Sequence, residues 1–527
     1  MSKLQKGLVR ITGDFKVKVL DIGKHLVVFA TLLFAGMLFL PVVAAGATVE
    51  AGTVRVVLTR QTAPVNFKVN GNYQLVNQKS GKLAANIQKD EIWQVHLEDG
   101  QIQFQGPDDT YGPFSGPVAV VQGDDSDLRL NIIAGNKKVV EKAGSNGLMA
   151  ISAGGKAVLL SENSILSARS MQGMQQLGAG AGPSAGLRLV SVQVGSEYKR
   201  YRGNMEFCME KEGLAVINEL NIEDYLRGVV PAEMPSSWPE EALKAQAVVA
   251  RNYALQKVET SRGSSYNLTN DQLSQVYRGY DGETEATDRA VEDTRGLVLL
   301  NRGDLISTFY HSCSGGFIEN SEDVWLNALP YIKTKEDPFD KNNQHYNWQV
   351  SYTNDQLTKM FKNEKHPFDQ ITDIEVAERT ASGARAKTLV VEGTDPEGET
   401  VRCEVKNADN IRAALGLKSA LFTIKKFYEE KDDSDEVEND RTEGKEDRAA
   451  DQDDRTEVEN DRTENGDDRA GTENYLARIE INGSGYGHGL GLSQWGAYGM
   501  AKQGYNFQDI LKYYYTDVKM AGDYGRQ

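Results

Sequence analysis

Between Gly52 and about Leu166 apolar residues gather in short stretches, among them Val54-Arg55-Val56-Val57-Leu58 and Val118-Ala119-Val120-Val121. Turn signals separate them, including Asn70-Gly71, Gly106-Pro107-Asp108 and Gly112-Pro113. Short apolar runs bounded by such residues predict strands, and a small β-rich module over 48–177 accounts for them. Gly178 to Gly186, GAGAGPSAG, has no apolar period and reads as a flexible linker. The period then changes to a helical one at Leu243, Ala247, Ala250 and Ala254. Pro235, Ser236-Ser237 and Pro239 end an extended piece before it, and Ser237 with Glu240 forms a capping box that opens the helix. Lys244 and Arg251 are seven apart and fall on one face of that helix, so two cations can point toward one neighbouring site. From Gly483 to Gly491 glycine recurs at every second position, which leaves one face of an extended strand without side chains.

Leu26 to Ala47 carries no charge and follows a segment containing Lys3, Lys6, Arg10, Lys16, Lys18 and Lys24. The run is long enough to span a bilayer, and its basic side, residues 1–25, stays in the cytoplasm. Residues 26–47 are therefore a transmembrane signal-anchor or, cleaved at Ala45-Gly46-Ala47, a signal peptide. Either way the rest of the chain is expected at the extracytoplasmic face of the membrane or secreted. ATP and nicotinamide cofactors are not supplied there, and no cofactor is expected.

Charge sharpens the division. The 527 residues contain 59 Lys+Arg and 76 Asp+Glu, a net charge of −17. Glu429 to Glu473 holds 21 acids and 7 bases, so −14 sits in this stretch and −3 in everything else. The stretch has no aromatic residue and repeats EVENDRTE at Glu436 and Glu457. With so little apolar surface to bury, 429–474 is expected to be a disordered acidic insertion between 187–428 and 475–527. No basic stripe stands out, so nucleic acid is not an expected partner. Cys208, Cys313 and Cys403 are far apart, odd in number and without a CxxC pair, which excludes a disulfide scaffold and a Cys-rich zinc module.

Three segments carry candidate chemistry. In the first, Glu233 lies between Val229-Val230-Pro231 and Met234-Pro235. A carboxyl in apolar surroundings resists ionisation, as a general acid at neutral pH must, unless Glu233 only caps a turn or pairs with Arg227. The second segment runs from Tyr310 to Trp325, YHSCSGGFIENSEDVW. His311 and Cys313 form either part of a metal or thiol site or, with Ser312, a hydrogen-bonding group beside the Gly315-Gly316 turn. Glu319 and Glu322 read as a solvated face. The third is the glycine-rich GSGYGHGLGLSQWGAYGMA from Gly483. Its bare face admits a flat ligand, with Trp495, Tyr498 and Trp238 stacking on sugar rings, or packs tightly on another element.

Taken with RTASGARAKTLVVEG near Arg379 and IRAALGLKSALFTI near Arg412, these segments resemble, in order, the stage II sporulation protein D family, also called the amidase-enhancer domain. The resemblance covers about Val190 to Tyr515. It implies an exported, peptidoglycan-acting protein of α+β fold, a mixed α/β catalytic domain preceded by the β-rich module. In enzymatic members the implied reaction is lytic transglycosylation of glycan strands, preferably strands stripped of stem peptides. Carried over by motif, the catalytic glutamate is Glu233. Lys244, Arg251, His311, Ser312, His488, Gln494 and Trp495 are then expected to bind substrate. Implied partners are glycan strands, an N-acetylmuramoyl-alanine amidase and other wall hydrolases, and the cytoplasmic membrane through the N-terminal helix. Some members hold zinc, but no complete ligand set maps onto this chain. The acidic insertion departs from the family pattern.

Overall fold

The computed structural model describes residues 52–123 and 187–522 except 326, 342 and 431–473, with the backbone of four short strands between 129 and 160. The signal at 26–47 and the linker at 178–186 lie outside these residues. Among the described residues no helix is long and apolar enough to cross a membrane.

The first core lies between two sheets. One is seven-stranded, in the order Leu268–Thr269, Thr53–Gln61, Gly213–Asn221, Asn204–Glu210, Val118–Gln122, Tyr73–Asn77 and Lys82–Ile87. The other is six-stranded, in the order Glu197–Tyr201, Leu189–Val194, Val65–Asn70, Trp93–Glu98, Gln101–Gln105 and Thr110–Phe114. Alternation decides which side faces in: Val65, Phe67 and Val69 are buried while Asn66, Lys68 and Asn70 are not. Phe67 and Phe104 of one sheet meet Phe207 of the other with ring centroids 5.2 and 5.4 Å apart. The predicted strands thus exist, but they share both sheets and one core with residues after 187. The expected boundary at 178–186 divides segments in sequence that pack together in space. A half-apolar sheet cannot stand alone, and Thr53–Gln61 finds its antiparallel partner in Gly213–Asn221.

Helix α1 (Ile222–Glu233) and helix α2 (Glu240–Thr260) follow directly. Residues 222–233 are therefore helix, not the extended piece expected before Pro235. Ile222, Tyr225, Leu226, Val229 and Val230 recur at i, i+3, i+4, i+7 and i+8 and are all buried. Asn221 caps the helix through its side chain, and Pro231, in the last turn, has no N–H to offer the Arg227 carbonyl, so the ladder is weakened just before the helix ends. The expected capping box does not form: α2 begins at Glu240 with Pro239 as its N-cap and no side-chain cap bond. Its apolar stripe is as expected, with Leu243, Ala247, Ala250 and Ala254 all buried. Apolar residues wrap the helix on two sides, however. Ala247, Ala250 and Ala254 join the first core, whereas Ala242, Leu243, Ala245, Val248 and Val249 join a second. Such a helix is a central strut and not a surface element.

Helix α3 (Glu285–Asp293) packs against α1 and α2. The third core is formed by the strands Asn347–Thr353, Asn474–Ser484 and Phe422–Glu430 with Gln370–Arg379, Ala386–Thr394 and Thr400–Lys406. Helices α4 (Asn354–Phe361) and α5 (Ala408–Ala414) cover it. The chain then returns to the second core through α6 (Gln494–Lys502) and α7 (Phe507–Tyr514). The architecture is α+β. The acidic insertion loses its expected edges, since Glu429 and Glu430 end one strand and Asn474 begins its partner. Residues 431–473 lie outside the described residues.

Candidate functional site

Glu233 is the last residue of α1, and its carboxyl is held well out of water without being sealed off. Burial pushes its proton affinity above the usual carboxylate range. The negative end of the α1 dipole acts in the same direction. Hydrogen bonds oppose the shift: the Tyr310 hydroxyl, the Val276 N–H at 3.3 Å from Oε1, and the Gln494 side chain all favour the carboxylate. Arg278 adds a weaker attraction. None of these groups is a carboxylate. Arg227, the alternative partner, instead pairs with Asp224, Asp288 and Glu292.

Behind the carboxyl lies a chain of aligned donors. Tyr225 donates its hydroxyl proton to Gln275 Oε1 at 3.2 Å, and Gln275 Nε2 donates to the Tyr310 oxygen at 3.3 Å. With its oxygen already accepting, Tyr310 turns its proton toward Glu233. In front, Gln494 at the start of α6 donates to the Glu233 main-chain oxygen at 3.3 Å. Trp495 follows it, and its main-chain N–H donates to the Ser312 carbonyl at 3.0 Å. Trp495, Trp238 and Tyr498 form a half-buried aromatic cluster, with centroids 4.7 Å apart for the two tryptophans and 5.1 and 5.4 Å from them to Tyr498. Glu233, Ser312, Gln494 and Trp495 are thereby brought together from three distant parts of the chain.

Lys244 and Arg251 are not joined to this group. Arg251 is buried and makes a two-pronged ion pair with Glu223, at 2.8 Å through Nε and 2.6 Å through NH2. Lys244 pairs with Glu240 at 2.6 Å, Asp293 at 3.1 Å and Glu241 at 3.4 Å. The shared face exists, but it is turned onto acids of α1, α3 and its own first turn, which neutralise both cations.

His311 and His488 make a pair of their own. Side chains alternate along the short strand Tyr310–His311, so Tyr310 faces Glu233 and His311 points the other way. Its ring lies 5.5 Å from that of His488, which lies 5.1 Å from Trp325. Burial, reinforced by the other ring and by Arg385, holds His311 well below the usual imidazole range. Burial likewise lowers His488 to about 4. Both rings are neutral. Nδ1 of His311 faces the Leu490 carbonyl at 3.1 Å, which assigns its proton there and leaves Nε2 as a buried acceptor without a partner.

Cys313 does not act as a thiolate. Burial and the neighbouring Asp340 push its thiol up to about 12, and its sulfur lies 3.3 Å from Asp340 Oδ2 and 3.2 Å from Asn343 Nδ2. Among the described residues no three His, Cys, Asp or Glu side chains converge as a metal site requires, so the zinc of some family members has no fitting donor set here. Glu319 is not solvated either, being fully buried 3.2 Å from Arg385, whereas Glu322 lies on the surface near Lys333.

The glycine series has a packing role. Gly485, Gly487, Gly489 and Gly491 all have positive φ, from +66° to +115°, so this stretch is a left-handed loop and not a strand. A Cβ at Gly487 would meet His311 Cβ at 2.7 Å, at Gly489 the Arg385 guanidinium at 2.4 Å, and at Gly491 the Phe309 carbonyl at 2.1 Å. The bare face receives the chain's own 309–315 segment and Arg385 instead of a ligand.

Residues 210–300, which contain α1, α2 and Glu233, match the family described as Stage II sporulation protein, and residues 317–439 match a domain of unknown function. An uncharacterized protein of Brachyspira hyodysenteriae is 30% identical over 335 residues, covering 62% of this chain and 73% of that one. The stage II sporulation protein D of Bacillus subtilis is 27% identical over 322 residues, covering 58% and 76%. The amidase enhancer of the same organism is 30% identical over 299 residues, 56% of this chain but 40% of that longer one. The chain belongs to the stage II sporulation protein D family.

Proposed function

We propose that this protein is a peptidoglycan lytic transglycosylase, with Glu233 as its acid and then its base. The observation that carries this reading is a single carboxyl, raised by burial yet supplied with donors for its ionised form, beside a half-buried aromatic cluster. Glycosidases that use water as nucleophile, or form a glycosyl ester, need two carboxylates. The groups acting most strongly on Glu233 include no second one. An internal nucleophile removes that need. Glu233 gives its proton to the bridging oxygen as the bond from the anomeric carbon breaks, and the leaving sugar departs with a hydroxyl. The carboxylate, now stabilised by Tyr310 and the Val276 N–H, takes the proton of the muramic acid 6-hydroxyl. The 6-oxygen then bonds to the anomeric carbon, giving a 1,6-anhydro end without consuming water. Trp238, Trp495 and Tyr498 offer sugar rings an apolar surface, and the Gln494 side chain, held at the Glu233 main chain, is a polar group beside it. Work outside the cytoplasmic membrane, held there or released according to the N-terminal signal, belongs to the same proposal.

Digestion of peptide-free glycan strands, with product masses measured, tests this reading. The native protein should yield anhydro-muramyl ends and Glu233→Gln about a thousandfold fewer. Equal yields would sink it. The relative named amidase enhancer supports a second reading, in which the aromatic surface binds glycan and stimulates a partner amidase without acid chemistry. Stimulation retained by Glu233→Gln, with no strand cleavage by the native protein, would favour it.

A further inference from the structure

A cavity of about 560 Å³ opens on the third core between the ends of the strands Asn347–Thr353, Phe422–Glu430 and Asn474–Ser484. Its size falls within the range of small-ligand sites. Arg379 is the one charged side chain among the described residues that line it. NH1 of Arg379 donates to the Ala384 carbonyl at 2.9 Å and NH2 to the Phe422 carbonyl at 3.1 Å. These bonds fix the plane of the guanidinium without neutralising it. A half-buried cation with only neutral acceptors favours an incoming anion, and a planar fork suits a carboxylate best.

The other walls select what carries that carboxylate. Trp348 is half-buried, pinned by Nε1–H donation to the Gly485 carbonyl at 2.9 Å. Its ring lies where a Cβ on Gly483 would stand, at 2.2 Å, so glycine there lets the indole settle against the strand. Thr423 and Asn482, exposed and directly paired across the strands, add polar edges, with Ser484 beside them. An aromatic wall, a ring of neutral hydrogen-bonding groups and one guanidinium together match a sugar ring that bears an acid.

We infer that this cavity is a binding subsite for a carboxylate-bearing sugar, read by Arg379 through its acid and by Trp348 through its ring. The choice of a wall sugar as probe rests on the glycan reading above. The subsite is joined to the Glu233 site by one segment, which passes from Gly483 through the glycine loop to Gln494 and Trp495.

Calorimetric titration of the full chain with N-acetylmuramic acid and with N-acetylglucosamine tests the inference, because the two differ by a lactyl carboxylate on the same ring. The acid sugar should bind about tenfold tighter. Arg379→Gln should erase the preference. Asn482→Asp leaves both carbonyl bonds of Arg379 in place and sets a negative charge in the cavity, so it should weaken the acid sugar and spare the neutral one. Equal affinities in the native protein would overturn the inference. So would a preference surviving in both variants, or an Ala-Glu dipeptide binding as tightly as the acid sugar. Titration reads binding alone, so loss of the transglycosylase reading through absent anhydro products is a separate result.

Discussion

At Glu233 two opposing influences are balanced, and the balance can be moved from either side. Burial raises its proton affinity, whereas Tyr310 and the Val276 N–H lower it. As general acid it must start protonated, so kcat/KM for strand cleavage should fall as pH rises through its raised pKa. Tyr310→Phe removes a donor that favours the carboxylate, so a pH–rate profile of that variant should show the alkaline limb displaced to higher pH and a lower maximum. Stability should report the same shift. A carboxyl whose folded pKa lies above its unfolded value contributes stability in full below the unfolded pKa and loses it as pH rises through the folded one. Glu233→Gln does not titrate. Urea midpoints should therefore be similar at acid pH, with the variant pulling ahead of the native protein toward neutrality; an unchanging gap would remove burial as the cause.

Helix α2 shows how an element assigns roles that residue types leave open. Arg251 and Lys244 share its face, but one is buried on Glu223 and the other lies among exposed acids. Breaking a buried pair leaves an uncompensated charge, so Arg251→Ala should cost about 3–5 kcal/mol by chemical denaturation. Lys244→Ala should cost about 0–1 kcal/mol, as screened surface pairs do. A normal stability with raised KM for Arg251→Ala would instead make it a substrate contact. The helical spacing Ile222, Tyr225, Leu226, Val229, Val230 was present in the sequence. Pro235 and Pro239, which follow it, point instead to an extended piece, and the helix ends just before them. Glycine alternation misled in the same way, because a period of two is also what a run of positive-φ turns produces when each turn meets a neighbour's backbone.

For the molecule as a whole, the strand pairing on either side of the acidic stretch predicts that the stretch can be removed without loss of the fold. Glu430 and Asn474 are directly paired at the end of an antiparallel hairpin, so the chain between them closes a gap of one strand spacing. Replacing 431–473 with Asn-Gly satisfies that geometry. The unfolding midpoint and the yield of strand cleavage should both stay as in the native protein. A fall in the midpoint, measured by calorimetry, would assign the stretch a structural role. The same pairing explains how a domain interrupted by some forty residues still assembles: the flanks meet through strand registry and a shared core.

Much of this was legible before any coordinate. Glu233 among apolar neighbours, the buried stripe of α2, the aromatic trio and the location of the charge all follow from local composition and period, which the chain carries at short range. The companions of each candidate did not follow. Tyr225, Gln275 and Tyr310 stand 85 residues apart from first to last and carry no motif linking them, yet they form the donor chain behind Glu233. The partners of Arg251, the cavity around Arg379, and the merging of residues 53–122 with 187–221 into common sheets are likewise long-range facts. Burial and pairing depend on which surfaces meet. Sequence determined which residues had chemistry to offer, and tertiary contact decided which of them face a ligand and which were neutralised by the chain itself.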